Sequence, residues 1–269
     1  MHELVVFDER VTTLGAVGLA DFMDGFSFGC GLFETVRVEG GQPVFLERHL
    51  RRLRTSLAAL ADVVRSPAAN LLTYDSVLAA VAAATREDAR TAERTVLKVV
   101  AADGHRLLLF RDAPPDLAAR LRGTSVEAVD RTTYRAGDPL RNHKTLAYLA
   151  NYRGMQRRTL FVNEHDEVCE TGSANLFFMT GGELVTPRLS APCLPGVARE
   201  VVLEAGSVAG RRVVERATHL SELGEATAVV LTSALGVAPV TRLFGRELDG
   251  SLELAAHLRE CVARAPDRS

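Results

Sequence analysis

The sequence predicts an α+β fold in two parts, and three observations predict it. Short apolar runs separated by Gly-Gly or Asp-Gly pairs signal β-hairpins. Other segments carry leucine at intervals of three and four residues, the helical period. Strand and helix patterns do not alternate regularly, which argues against a doubly wound parallel sheet. The stretch from Ala113-Pro114-Pro115 to about Arg122 breaks the pattern and predicts a boundary, dividing the chain into 1–118 and 119–269.

The elements follow in order. Leu4 to Phe7 and Leu32 to Val38 read as strands, the second ending in a turn at Gly40-Gly41. A helix is predicted from Leu46 to Ala61, with Leu46, Leu50, Leu53, Leu57 and Leu60 on one face and arginines between them, and another from Tyr74 to Ala89. Thr95 to Ala102 and Arg106 to Phe110 form a hairpin across Asp103-Gly104. In the second part a strand lies near Val126, a helix runs from Lys144 to about Arg158, and Leu160 to Val162 is a strand ending in the polar turn Asn163 to Asp166. Asn175 to Met179 and Glu183 to Pro187 pair over Gly181-Gly182. The segment LPGVARE enters a helix reaching about Ala209, Ala228 to Ser233 is a buried strand, and Leu252 to Ala263 is a final helix.

Composition narrows the function. The chain has 269 residues, is 47% hydrophobic and carries a formal charge of −2, so it has apolar material for a large core and no excess of basic residues for nucleic acid or a membrane surface. Cys30, Cys169, Cys193 and Cys261 are too far apart for zinc-ligand or redox spacing, so four free thiols are expected. The start MHELVVFDER holds acids where a signal peptide needs an apolar run, and no stretch reaches membrane-spanning length, so a cytoplasmic protein is expected. No phosphate-binding glycine loop or nucleophile-elbow serine is present. The seven histidines show no metal-site spacing, and His49 and His143 read as structural. Among 32 lysines and arginines only Lys98 and Lys144 are lysine. A lysine kept in such a background is either a chance survivor or a position that needs an amine able to lose its proton.

Six segments then stand in a particular order: FSFGCGLFETVRV, LERHLRRL, HKTLAYLANY, ETGSANLFF, LPGVARE and LTSALGVAPV. In that order they resemble the class IV aminotransferase family, the fold-type IV pyridoxal-phosphate enzymes, over about Phe26 to Val240. The resemblance implies a two-domain fold like that of D-amino acid aminotransferase, with a smaller N-terminal α/β domain, a larger C-terminal domain, the cofactor pyridoxal 5′-phosphate in the cleft between them, and a homodimer.

It also implies roles. Lys144 matches the lysine that holds the cofactor as a Schiff base, and burial beside a cationic site should favour its free amine, the basic form. Glu170 matches the glutamate that keeps the cofactor's ring nitrogen protonated, so that the ring can act as an electron sink. Arg48 matches the arginine that meets the phosphate. Gly196, Val197 and Ala198 open a helix whose amides suit an anion; Ala198 stands where relatives often have threonine, so contact there would be through the backbone. Thr232 and Ser233 match a second phosphate contact, and Ser173 and Asn175 match positions near the cofactor.

Substrate class is read from fewer residues. FET (Phe33 to Thr35), TVLKVV and SALGVAPV resemble the lyase members and place Lys98 near substrate carboxylates. The short AADGHRLLLF segment and Cys30, which replaces the acid of the usual FGDG, depart from the lyase pattern on the substrate side. The leading expectation is a lyase of folate biosynthesis that converts 4-amino-4-deoxychorismate to 4-aminobenzoate and pyruvate. The alternatives are a transaminase for D- or branched-chain amino acids and a non-catalytic cofactor-binding protein.

Overall fold

A computed structural model describes residues 3–266. The chain forms two compact units. One runs to Pro114 and includes Lys144–Tyr148; the other comprises Pro115–His143 and Leu149–Ala265. A single cut near residue 118 therefore misses one feature, because the segment carrying Lys144 packs with the first unit.

The first unit contains β1 (Leu4–Phe7), β2 (Arg10–Thr13), α1 (Met23–Phe28), β3 (Gly31–Glu39), β4 (Gln42–Pro43), α2 (Leu46–Ala59), α3 (Tyr74–Glu87), β5 (Val96–Ala102) and β6 (His105–Arg111). The strands form one antiparallel sheet in the order β2-β1-β6-β5-β3-β4. Successive strand residues face opposite sides. Val36, Leu97, Val99 and Leu108 bury against Leu46, Leu50, Leu53 and Leu57 of α2 and against α3. The other side carries Val5, Phe33, Val100, Leu107 and Leu109. β3 thus presents Phe33 to one face and Glu34 to the other.

The second unit contains α4 (Leu117–Arg122), β7 (Thr124–Val126), β8 (Ala128–Asp130), α5 (Leu149–Gln156), β9 (Thr159–Val162), β10 (Val168–Thr171), β11 (Asn175–Thr180), β12 (Glu183–Pro187), α6 (Val197–Ala205), β13 (Ser207–Val208), β14 (Arg211–Arg216), α7 (Leu220–Gly224), β15 (Ala228–Ser233), β16 (Gly236–Leu243), β17 (Arg246–Glu247) and α8 (Gly250–Arg264). One sheet runs β10-β9-β8; the larger runs β13-β14-β12-β11-β15-β16-β17, with β7 beside β16. Phe177, Val230 and Val237 of the larger sheet pack against Val202 of α6 and Leu254 and Leu258 of α8. No described helix is long and apolar enough to cross a membrane.

The expected helix from Lys144 is corrected: helix begins only at Leu149. β4 pairs with β3 at Val38 and Glu39 alone, and residues 144–146 bond to the other end of that strand. Phe33 N–H donates to Lys144 O at 2.9 Å, Leu146 N–H donates to Gly31 O at 2.8 Å, and Leu32 bridges Thr145. Satisfying these backbone groups outweighs local helical pattern. The approach needs glycine at Gly31, where a Cβ would lie 2.6 Å from Leu146 Cδ1 and 2.7 Å from Ala102 Cβ. Gly29, at φ +71°, ends α1 in the left-handed conformation that admits this turn.

Candidate active site

In the first unit the chain's two lysines meet one aromatic ring. Lys144 Nζ lies 4.4 Å and Lys98 Nζ 4.2 Å from the centroid of Phe33. Tyr148 lies edge-on to Phe33 at 5.2 Å, and its own centroid is 5.0 Å from Lys144 Nζ. Aromatic faces hold amines by the ring quadrupole without neutralising them as a carboxylate would. The Lys98 amine has its pKa lowered, first by burial and then by the Arg111 charge. Cys30, half-buried, follows Gly29 at the start of the same loop-to-strand passage.

On the opposite face of β3, Glu34 is 1% exposed. It accepts from His49 Nδ1 at 2.8 Å and from Arg52 Nε and Nη2 at 2.7 and 2.5 Å. Burial raises the carboxyl's pKa, but Arg52 and His49 outweigh it and hold Glu34 at about 2. Burial lowers His49, so its imidazole is the neutral partner. Arg48, one helical turn before Arg52, is also buried. His49 is thus a structural partner of Glu34. Sequence reasoning missed the role of Glu34 and Arg52, although the four-residue phasing of Arg48 and Arg52 on α2 was a usable signal.

In the second unit Glu170 lies on β10 and is 5% exposed. Its Oε1 accepts from the Tyr134 hydroxyl at 2.7 Å, and its Oε2 accepts from Leu194 N–H at 3.1 Å and Asn175 Nδ2 at 3.2 Å. Asn175 also donates to Leu194 O at 2.8 Å. Burial, and then the Glu170 charge, push Tyr134 far above the ordinary tyrosine range, so the hydroxyl stays a donor. The neighbouring thiols stay neutral as well: burial raises Cys169 and pushes Cys193 up to about 12.

Asn175 pairs in register with Thr232 across β11 and β15. The Thr232 hydroxyl oxygen is buried with no hydrogen-bond partner among the described residues. Gly196 caps α6, ahead of Val197 and Ala198, and a Cβ on it would fall 2.0 Å from Asn175 Oδ1. Ser233 is used differently: its hydroxyl accepts from Leu235 N–H at 3.3 Å and donates to Gly236 O at 3.5 Å, closing a turn. Ser173 is exposed. Glu170, Asn175, Gly196 and Thr232 therefore converge within this unit, while Ser173 and Ser233 stand apart from their hydrogen bonds.

Residues 31–243 match the family profile of amino-transferase class IV. The chain belongs to the class IV aminotransferases. It is 38% identical to a Thermotoga maritima "Probable branched-chain-amino-acid aminotransferase" over 78 residues, 29% of each protein. The curated relatives it matches first are covered over less than a third of their length. Among solved structures, a hypothetical aminotransferase from Mycobacterium tuberculosis in its pyridoxal-phosphate-bound form superposes with TM-score 0.80 at 24% identity, over 97% of each chain. A Legionella pneumophila protein named, provisionally, as a 4-amino-4-deoxychorismate lyase gives TM-score 0.77 at 21% identity, over 96% of this chain and 97% of that one. These two share the fold.

Class IV aminotransferases use pyridoxal phosphate, and the residues present fit it. The buried hydroxyl of Thr232, unpartnered among the described residues, and the close-packed N-terminus of α6 offer donors to a phosphate. The clamped Glu170 offers a fixed carboxylate to a protonated ring nitrogen.

Proposed function

We propose that this class IV enzyme is a lyase that converts 4-amino-4-deoxychorismate to 4-aminobenzoate and pyruvate. The observation that carries this reading is the pair of lysines on Phe33, which sets a second cation, Lys98, beside the Lys144 amine and so suits an amine substrate with further carboxylates.

When bound, pyridoxal phosphate supplies an electron sink for negative charge developing on the substrate. Lys144 Nζ would hold the cofactor, and its free amine would be the base that removes the C4 proton of the substrate. Departure of enolpyruvate leaves an aromatic ring, and the Lys144 proton, or one from water, completes pyruvate. Glu170 would supply the negative charge that keeps the ring nitrogen protonated. Thr232, the backbone of Gly196, Val197 and Ala198, and an arginine of α2 hold the phosphate. Arg48 is the arginine the motif matches, while Arg52, one turn along, is bound to Glu34. Asn175 orients Glu170. Ser173, Ser233 and Cys30 have accessory places.

The purified protein, incubated with 4-amino-4-deoxychorismate and pyridoxal phosphate, is expected to release pyruvate with no keto acid added, and Lys144→Ala to release none. Pyruvate release that requires both an amino donor and a keto-acid acceptor sinks the lyase reading. That outcome supports the second reading, a transaminase, which the names of the curated relatives favour. There Lys144 Nζ would carry the proton from the amino acid's Cα. The exposed apolar side chains Leu19, Met23, Phe26 and Phe28, clustered in sequence around α1, support a homodimer, which a solution mass measurement checks.

A further inference from the structure

We propose that Tyr134 is the positioning residue for Glu170: its hydroxyl fixes the carboxylate in one rotamer and holds its negative charge in place. The inference rests on Glu170 having the role toward the cofactor's ring nitrogen given above.

Tyr134 comes from a stretch without regular structure, yet it is 1% exposed. Its ring stacks on Phe161 with centroids 4.5 Å apart and planes 11° apart, and the Arg141 guanidinium carbon lies 4.9 Å from its centroid. Phenylalanine would fill the same space and keep both contacts, so packing alone gives no reason for a phenol. The hydroxyl has two partners. It accepts from Asn151 Nδ2 at 3.1 Å and donates to Glu170 Oε1 at 2.7 Å. The Asn151 donation occupies the oxygen and directs the phenolic proton to the carboxylate.

Donors from three separate segments, at residues 134, 175 and 194, meet on Glu170. Two of them, Asn175 Nδ2 and the Leu194 amide, share Oε2. Tyr134 donates to Oε1, over the shortest of these three distances. An O–H donor on a carboxylate lowers its affinity for a proton. With the hydroxyl in place, a proton between Glu170 and a ring nitrogen rests on the nitrogen. Without it, Glu170 draws that proton back and the ring loses electron-withdrawing power.

The test is a pH titration of the visible absorbance of the holoenzyme, with pyridoxal phosphate affinity measured by equilibrium dialysis, for wild type, Tyr134→Phe, Glu170→Gln and the double variant. Tyr134→Phe is expected to raise the midpoint by about one pH unit, the size of one lost hydrogen bond to a charged group, and to weaken cofactor affinity less than tenfold. Glu170→Gln is expected to shift it further, and the double variant no further than Glu170→Gln alone, because both act through one carboxylate. Asn151→Leu, which frees the hydroxyl without removing it, should shift the midpoint in the same direction by less, and serves if Tyr134→Phe does not fold. A wild-type midpoint in Tyr134→Phe beside a shifted Glu170→Gln overturns the role of Tyr134 and leaves that of Glu170 standing. Unchanged midpoints in both overturn the Glu170 reading itself. Additive shifts in the double variant place the effect of Tyr134 elsewhere and also overturn the inference.

Discussion

Glu34→Gln tests the structural half of the first unit. Glu34 is buried between β3 and α2 and ties His49 and Arg52 together. Its carboxyl is held at about 2 against an ordinary 4.5. At 1.36 kcal/mol for each tenfold change in proton affinity, the charged form contributes about 3 kcal/mol to stability at neutral pH. Glutamine keeps the shape and removes the charge, so it should lower stability at pH 7 by about 3 kcal/mol, in line with the cost of leaving one partner of a buried ion pair unmatched. The pH dependence has a definite sign. A depressed carboxyl stabilises above its unfolded value and loses that contribution as pH falls through its folded value. The gap between wild type and variant should therefore be full above about pH 5 and close between pH 4.5 and 2. Urea unfolding of both proteins across that range measures it. A loss below about 1 kcal/mol at pH 7, or a gap that does not change on acidification, refutes the reasoning.

Three further outcomes are expected. Thr232→Val should raise the stability of the cofactor-free protein by about 1 kcal/mol, since it removes a buried hydroxyl with no partner among the described residues, while weakening pyridoxal phosphate binding about tenfold; calorimetry and equilibrium dialysis read the two opposite signs. Gly196→Ala puts a Cβ 2.0 Å from Asn175 Oδ1, so Asn175 must release its bonds to Leu194 O and Glu170; a fall in Tm of roughly 3–10 °C is expected in a thermal melt. Lys98→Met should lower kcat/KM for a carboxylate-bearing amine by roughly 10- to 100-fold without altering the absorbance of the bound cofactor, and wild-type kcat/KM should turn down at a pH below the usual lysine range because burial lowers the Lys98 amine.

Much of the first unit was legible because its residues follow a single period. The leucines of α2 lie on one buried face, and the Asp103-Gly104 turn joins β5 to β6 as its residue types require. Lys144 stood out by residue type, but its conformation was not legible. Its extended backbone is fixed by the edge of β3, more than a hundred positions earlier, and local pattern carries no record of such pairing. β10 was missed for a related reason. It has four residues, all buried, and a short run of that kind shows neither alternation nor helical period. Tyr134 left no signal, because an irregular stretch has no phase from which to infer what a side chain faces.

The buried glutamates Glu34 and Glu170 meet the same physical problem in different ways, and the difference separates their tasks. Glu34 is matched by a full positive charge at 2.5 Å, so its field is largely neutralised where it stands. Tyr134, Asn175 and the Leu194 amide, which hold Glu170 at 2.7–3.2 Å, are neutral donors. Neutral donors stabilise a carboxylate without cancelling its charge, whereas the Arg52 guanidinium answers the charge of Glu34 directly. The paired substitutions should therefore give opposite signatures. Glu34→Gln should reduce stability and leave the holoenzyme absorbance midpoint in place, whereas Glu170→Gln should move the midpoint and change stability much less. If Glu34→Gln moves the midpoint as far as Glu170→Gln does, the division between a charge held for the fold and a charge held for the cofactor is wrong.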